Sequence, residues 1–253
     1  MTMRPGVTLP IVDFLADLPA TATNGSCFAM DRRGPQSNAK IYVLVPTSAS
    51  TATFGYLDIY AKTFTYLAPP AQDANSLFGV GTSMCFDEST QGVWLFNPQG
   101  TANPPNQDWA QWQRHDVAAG TWTTYDTSTL NLAAAWGATG GDSALLHPDA
   151  RVAIGLPIGG QVADDGFYLT GNAALTLYRY SIANNAWTVL APGVARPAVT
   201  GPGASLLWNS WNTDLLVSHR GGGSTLIDVY TISTNVWAAA GVATLPPLAV
   251  TTG

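Results

Sequence analysis

The eight residues YSIANNAW, Tyr180–Trp187, decide the fold of this chain. An aromatic residue opens the stretch, Asn184 and Asn185 lie in its middle, and Trp187 closes it. Asn tolerates the left-handed backbone that short hairpin turns require. Apolar and polar residues partly alternate on both sides of the two Asn, as they do in half-buried strands. The stretch therefore predicts a strand that runs to Tyr180, a tight turn, and a second strand that resumes at Trp187.

The same frame, a large residue followed seven positions later by an aromatic one, occurs four times in the chain. Its closing aromatic residues recur roughly 50 to 65 residues apart, which is in or near the period of propeller blades. The opening and closing residues flank the turn, where a cross-strand contact sets the register of a hairpin. The four copies are LDIYAKTF (Leu57–Phe64), HDVAAGTW (His115–Trp122), YSIANNAW (Tyr180–Trp187) and YTISTNVW (Tyr230–Trp237).

What precedes each frame also recurs. A Gly is followed by a short apolar strand, an Asp- or Asn-bearing turn and a second apolar strand. Aligning the first two units places Cys27-Phe28 on Cys85-Phe86. The pattern of each unit therefore predicts four strands. No long helical pattern appears, and Pro and Gly occupy the links between the units. The predicted units span residues 24–70, 80–128, 140–193 and 202–241.

The four-stranded units resemble Kelch repeats, which carry Tyr-Asp and a later Trp on their outer hairpin. Kelch units are blades of a β-propeller, so the resemblance implies an all-β propeller of four four-stranded blades within a single domain, 1–253. The motif Asp is kept at Asp58 and Asp116, the Tyr at Tyr180 and Tyr230, and the Trp at Trp122, Trp187 and Trp237, while Leu57, Phe64 and His115 are variants.

Closure of such a propeller needs a further element, because open blade edges invite aggregation. Terminal strands at residues 8–19 and 245–251 are predicted to form a partial fifth blade. Packing against a neighbouring subunit is the alternative.

Composition restricts the class of partner. Charged residues make up 10% of the chain and the net charge is -6, with Lys only at Lys40 and Lys62. A nucleic-acid binder needs a positive face, so nucleic-acid partners are not expected. The apolar runs are too short for a membrane helix. Near the N-terminus, Pro5, Pro10 and Asp13 interrupt the apolar segment, which argues against a cleaved signal peptide.

No pattern for catalysis, a cofactor or a metal stands out. The chain has no nucleophile elbow, no HExxH and no Walker sequence. His115, His147 and His219 are dispersed, and His115 is most simply a variant of the frame. The carboxylate pairs Asp87-Glu88 and Asp164-Asp165 are expected in solvated turns, and Cys27 and Cys85 as small buried residues. We therefore predict no catalytic, cofactor-binding or metal-binding residues.

Two Trp pairs are the candidate contact surface, since exposed Trp residues stack on sugars or fill partner pockets. They are Trp109 with Trp112 and Trp208 with Trp211. The first pair follows a long Pro-rich loop, Asn97–Trp109, of the kind in which function concentrates.

The sequence therefore favours a non-enzymatic structural or protein-interaction propeller within a larger, oligomeric assembly. Its low-charge, nearly Lys-free composition resembles that of tailed-phage virion proteins, some of which carry propeller domains in the tail nozzle, and implies a virion location. A secreted, carbohydrate-binding propeller that uses Trp loops is the alternative. A Kelch-type oxidase or hydrolase is a weaker one. The partner, the oligomeric state and the source stay open.

Overall fold

A computed structural model describes the following parts of the chain: 26–31, 39–48, 50–72, 76–78, 82–87, 91–97, 99–100, 111–125, 144–145, 166–171, 175, 177–181, 184–198, 205–208, 214–220, 224–238 and 243–244. The described residues form an all-β fold of antiparallel sheets, without a helix. Four of these sheets are built from at least four strands each, which confirms the predicted class. The predicted terminal strands at 8–19 and 245–251 lie outside the described residues.

The first and second sheets each contain four strands. The first has the order β1-β2-β3-β4 and the second the order β10-β9-β7-β6. In a separate two-stranded sheet, β5 (Ser76–Leu77) pairs with β8 (Gln99–Gly100), so part of the Pro-rich loop Asn97–Trp109 is a strand. The strands are β1 (Cys27–Asp31), β2 (Lys40–Pro46), β3 (Ala52–Asp58), β4 (Thr63–Leu67), β6 (Ser83–Asp87), β7 (Gly92–Asn97), β9 (Gln111–Asp116) and β10 (Thr121–Tyr125).

The third and fourth sheets follow the same pattern. The third has the order β11-β12-β13-β14, and the fourth has the order β15-β16-β17-β18. A last strand, β19, pairs with the same edge of β17 as β18, so the outer position of this sheet is occupied by two short strands. The strands are β11 (Ala144–Leu145), β12 (Gly166–Gly171), β13 (Leu177–Ser181), β14 (Ala186–Leu190), β15 (Ser205–Trp208), β16 (Leu215–His219), β17 (Leu226–Thr231), β18 (Val236–Trp237) and β19 (Ala243–Thr244).

The recurring frame forms the hairpin between the third and outer strands of each sheet. In every copy the opening and closing residues are direct antiparallel partners, as the frame predicts. The four pairs are Leu57 with Phe64, His115 with Trp122, Tyr180 with Trp187 and Tyr230 with Trp237.

Each hairpin turn has a left-handed residue at the same place in the frame. Lys62, Gly120, Asn185 and Asn235 have φ between 48° and 69°. Gly and Asn adopt this conformation at little cost. The sequence located these turns correctly, and the structure shows which of their residues takes the positive φ.

Carboxylates and a hydroxyl stabilise the same turns. Asp58 Oδ1 accepts the backbone N–H groups of Tyr60 and Ala61 at 2.9 and 2.8 Å. Asp116 Oδ1 accepts two equivalent bonds at 3.0 and 2.9 Å. In the third hairpin Ser181 Oγ accepts from the Asn184 amide at 3.3 Å. In the fourth, Asp214, the residue before β16, accepts from the backbone and hydroxyl groups of Ser233. The Kelch-like Asp therefore acts here as a turn cap.

One alignment from the sequence is wrong by two residues. The cross-strand register places Asp31 opposite Lys40 and Asp87 opposite Gly92 at the same level of their sheets, so Cys85 corresponds to Ala29 and not to Cys27. The turn between the first two strands is shorter in the second unit and the next connection is longer. A shift of two residues keeps each side chain on the same face, so the pattern concealed it.

Consecutive sheets pack face to face with a constant polarity. We call the side of a sheet that carries the closing aromatic its frame face, and the other side its opposite face. On the frame face of the second sheet, Phe86 stacks on Tyr42 of the first sheet with ring centroids 5.7 Å apart. On the frame face of the third sheet, Trp187 packs against Trp112 of the second at 5.5 Å.

The fourth sheet obeys the same rule. Its frame-face residues Tyr230 and Trp237 form a core cluster with Leu177 of the third sheet, which lies on that sheet's opposite face. In all three contacts, therefore, a frame face is covered by the opposite face of the preceding sheet. Burial of these faces, which contain large aromatic side chains, contributes to the apolar stabilisation of the described core.

The links between units repeat a contact as well. The Trp122 indole N–H donates to the Ala68 carbonyl at 2.9 Å, and the Asn235 amide donates to the Ala191 carbonyl at 2.9 Å. Both acceptors follow a Leu that ends the preceding outer strand. Both of these links are thus held by the outer hairpin of the next unit.

Candidate interaction surface

The frame face of the first sheet has no preceding sheet among the described residues. Cross-strand pairing places Phe28, Val43, Gly55 and Tyr66 in one row of this face, and Met30, Ile41, Leu57 and Phe64 in the next. All of these residues are apolar, aromatic or Gly. We call the inner part of this face, formed by Phe28, Met30, Ile41 and Val43 on β1 and β2, the open patch.

The second sheet shows what this position looks like when it is covered. Phe28 corresponds to Met84 and Met30 to Phe86, by the register of the two sheets. Phe28 is 73% exposed, whereas Met84 is 4% exposed. Met30 is 41% exposed, whereas Phe86 is 8% exposed. The open patch is therefore the same structural surface as a buried interface, without its cover.

Exposure on the outer strand of the same face does not show whether a neighbouring sheet covers that face. Tyr66 is 66% exposed, but its counterpart Val189 in the covered third sheet is also 53% exposed. Outer-strand positions are thus open even where a sheet precedes. The argument for a binding surface rests on β1 and β2 and not on Tyr66.

The chemistry of the open patch is apolar. Its four side chains carry no ionisable group. On β3, the row that contains Met30 and Ile41 continues with Leu57, which is buried. The charged residues Asp31 and Lys40 belong to the other face, where Lys40 Nζ lies 4.3 Å from the Tyr56 ring centroid. Exposed contiguous apolar surface on a folded domain marks a protein or membrane contact.

The structure describes two of the four Trp residues that were predicted as a contact surface. Trp112 is fully buried between the second and third sheets, which corrects the expectation that it is exposed. It lies three positions before His115 along β9, so it is on the opposite face, and the third sheet covers that face. Trp208 is the last residue of β15. Trp109 and Trp211 lie outside the described residues.

His115 is a buried part of the contact between the first two sheets. Its ring lies 5.1 Å from those of Phe54 and Trp122, and its Nδ1 has no hydrogen-bond partner among the described residues. Burial lowers the pKa of His115, with Asp116 opposing and Arg114 reinforcing the change. His219 ends β16, with Nε2 2.7 Å from the Ser224 carbonyl.

The fourth unit contains a buried ionic cluster that the sequence pattern does not predict. Asp228 is fully buried and binds Arg196 at 3.2 Å and Arg220 at 2.7 Å. Arg196 also lies over the Trp237 ring, at 4.8 Å from its centroid, and donates to Ser218. Burial lowers the pKa of Arg196, and Asp228 opposes this change. Arg196 comes from the link after the third sheet, so the cluster anchors that link.

The second unit has an uncharged cluster at the equivalent place. Gln113 corresponds to Asp228 in the register and donates to the Ala71 carbonyl of the preceding link at 2.8 Å. Asn97 corresponds to Arg220 and donates to Gln72 of the same link at 2.8 Å. A polar contact between link and sheet thus recurs, with neutral groups in one unit and charged groups in another.

Asp87 also departs from expectation. The sequence predicts a solvated turn for it, yet its carboxylate is fully buried and Oδ2 lies 3.4 Å from the Trp94 indole nitrogen that donates to it.

Within the described residues, no three His, Cys, Asp or Glu side chains are grouped to hold a metal ion. The described part of the chain also has no helix that could span a membrane.

Comparisons with known proteins give similarity of shape only. No protein-family model matches the chain, and no curated protein matches it in sequence. A structural genomics protein of unknown function from Bacteroides thetaiotaomicron matches with a TM-score of 0.47 and 12% identity, over 87% of this chain. An auxiliary nutrient binding protein from the same organism matches with a TM-score of 0.46 and 12% identity, over 88% of this chain. The chain spans 44% of the length of each. At these values the matches carry no argument about function.

Proposed function

We propose that this chain is a Kelch-like β-propeller with a structural, protein-docking role in a larger assembly, and that the open patch is a docking surface. The observation that carries the proposal is the exposure of Phe28. The equivalent Met84 is buried by a neighbouring sheet, whereas Phe28 is 73% exposed. Surface of this kind is stabilised by a partner that removes it from water.

Several features support a propeller arrangement of the four sheets. Each contains at least four antiparallel strands, and successive sheets pack with the same polarity. The first strands of the first two sheets, β1 and β6, lie beside each other, as innermost strands of adjacent blades do. The repeated link contacts at Ala68 and Ala191 also indicate one repeating geometry.

The kind of assembly is proposed from composition. A chain with Lys only at two positions and 10% charged residues resembles tailed-phage virion components, so we propose a virion tail as the location. The carbohydrate-binding alternative has lost Trp112, which is buried. No described contact favours it or an oxidase or hydrolase.

Sedimentation of the tagged chain from its own source tests the proposal. Wild-type protein and the control Tyr60→Asp, whose side chain is exposed in a turn of the same sheet, should sediment with a particle heavier than one 26.5 kDa chain. Phe28→Asp should remain near the top of the gradient, because a carboxylate in the patch cannot be buried without a partner. Wild-type protein that sediments as a monomer at every concentration would contradict the proposal.

A further inference from the structure

The constant polarity of packing leaves two complementary faces open, one at each end of the series. The first sheet lacks a preceding sheet for its frame face. The fourth sheet lacks a following sheet, among the described residues, for its opposite face. In the three contacts that the structure contains, these are the two kinds of surface that pack together.

The opposite face of the fourth sheet is more exposed than the opposite face of the second sheet at two equivalent positions. Val217 corresponds to Trp94 and Ile227 to Trp112, by the register of the two sheets. Both Trp residues are fully buried by the third sheet, whereas Val217 and Ile227 are only half-buried. These two positions, on the second and third strands of the face, are therefore less covered than their equivalents inside the series.

The two open faces match in chemistry. The open patch consists of Phe28, Met30, Ile41 and Val43. The second and third strands of the fourth sheet, β16 and β17, present half-buried Leu215, Val217, Ile227 and Val229 on its opposite face. Neither group of four carries a charge. His219, which pairs with Ile227 on the same face, is buried, and its Nε2 lies 2.7 Å from the Ser224 carbonyl. The chain's own fourth sheet does not cover the patch, since Phe28 is 73% exposed in the folded chain.

We infer that the occupant of the open patch is the fourth sheet of a second copy, so that two chains close head to tail into one ring of eight blades. This rests on the proposed propeller arrangement and names the partner of its docking surface. Each chain contributes its first and its fourth sheet, and both new contacts repeat the polarity of the existing ones. A head-to-tail contact that closes gives a ring, and eight four-stranded blades are within the range of known propellers.

Sedimentation equilibrium of purified variants tests the inference. Wild-type protein and Tyr60→Asp should show the mass of two 26.5 kDa chains. Phe28→Asp should weaken association at least about tenfold, as loss of a central apolar contact does. Val217→Asp should do the same, and Val217→Thr, which keeps a β-branched shape, should weaken it less. Circular dichroism confirms that each variant is folded.

Mixing the two disabled variants tests the head-to-tail geometry. The fourth sheet of Phe28→Asp and the first sheet of Val217→Asp are both intact, so the mixture should form a dimer that neither variant forms alone. If Val217→Asp dimerises by itself, two first sheets pack on each other and the inference is wrong.

Two other outcomes overturn it in different ways. Wild-type protein that is monomeric, with Phe28→Asp lowering only its melting temperature, would show that Phe28 packs within its own chain. If wild-type protein is monomeric alone but joins a particle through Phe28, the inference fails while the proposed docking function stands.

Discussion

The hydroxyl group of Tyr230 donates a hydrogen bond of 2.7 Å to the side-chain oxygen of Asn235, the left-handed residue of its hairpin turn. Tyr180 makes the same bond to Asn185 at 2.6 Å. Where the frame opens with Leu57 or His115, the left-handed residue is Lys62 or Gly120 instead. An opening Tyr and a turn Asn therefore occur together, because the phenol ring reaches across the hairpin to hold the amide.

Breaking this bond should show energetic coupling between the two residues. We expect Tyr180→Phe and Asn185→Gly each to cost about 1 kcal/mol of unfolding free energy, and the double variant to cost less than the sum. Asn185→Ala should cost about 1 kcal/mol more than Asn185→Gly, because its φ of 48° disfavours Ala. Urea denaturation of wild-type protein and the four variants measures these values. Strictly additive costs would show that the bond contributes nothing.

Two glycines should respond differently to the same substitution. A Cβ on Gly55 would meet the backbone carbonyl of Thr65 and lie 2.7 Å from the Phe64 ring, whereas one on Gly120 meets nothing within 4 Å. Gly55→Ala should therefore destabilise the chain by about 1–3 kcal/mol or more through overpacking. Gly120→Ala should cost only about 1 kcal/mol, from its φ of 69°. Thermal unfolding compares them, and equal losses would contradict the close approach of β3 and β4.

His115 should make stability depend on pH. Because burial lowers its pKa in the folded chain, its contribution is complete above the unfolded pKa of about 6.5 and declines as the pH falls towards the folded value. His115→Leu places in the second frame the residue found at Leu57. Urea midpoints at about pH 7.5 and 5.5 should differ less in this variant than in wild-type protein. An unchanged difference would assign the pH dependence to other groups.

The ionic cluster should be asymmetric in its response. Removing the carboxylate with Asp228→Ala leaves Arg196 buried without its counter-ion, which we expect to cost about 3–5 kcal/mol. Arg196→Met leaves Asp228 bound to Arg220 and should cost markedly less. Denaturant unfolding of the two variants checks this order, and a reversed order would show that Arg196 acts mainly through its contact with Trp237.

The sequence predicted the hairpins because their signals are local. The alternating pattern, the turn residues and the closing aromatic of Tyr180–Trp187 all lie within eight positions. The exposure of Phe28 could not be predicted in this way. The strand CFAMD carries apolar residues on both faces, which is typical of a strand buried on both sides, and only the packing shows that one side is open.

Other features of the site depended on register that the pattern does not resolve. The proximity of Trp109 favours an exposed Trp112, whereas its position three residues before His115 in β9 places it on the face that the third sheet covers. The cluster around Asp228 joins residues from β16, β17 and a link, so no local spacing signals it. The Tyr and Asn of the third and fourth frames were visible in the sequence, and their shared spacing could have predicted the bond.

A cryo-electron microscopy structure of the chain, at a concentration where it is fully associated, tests the central claim most directly. We predict four sheets around one axis in each copy, each frame face turned to the preceding sheet, and an apolar sheet face of another chain against Phe28 and Met30. A map in which the four sheets share no axis, or in which Phe28 remains in solvent within the assembled particle, would contradict the account.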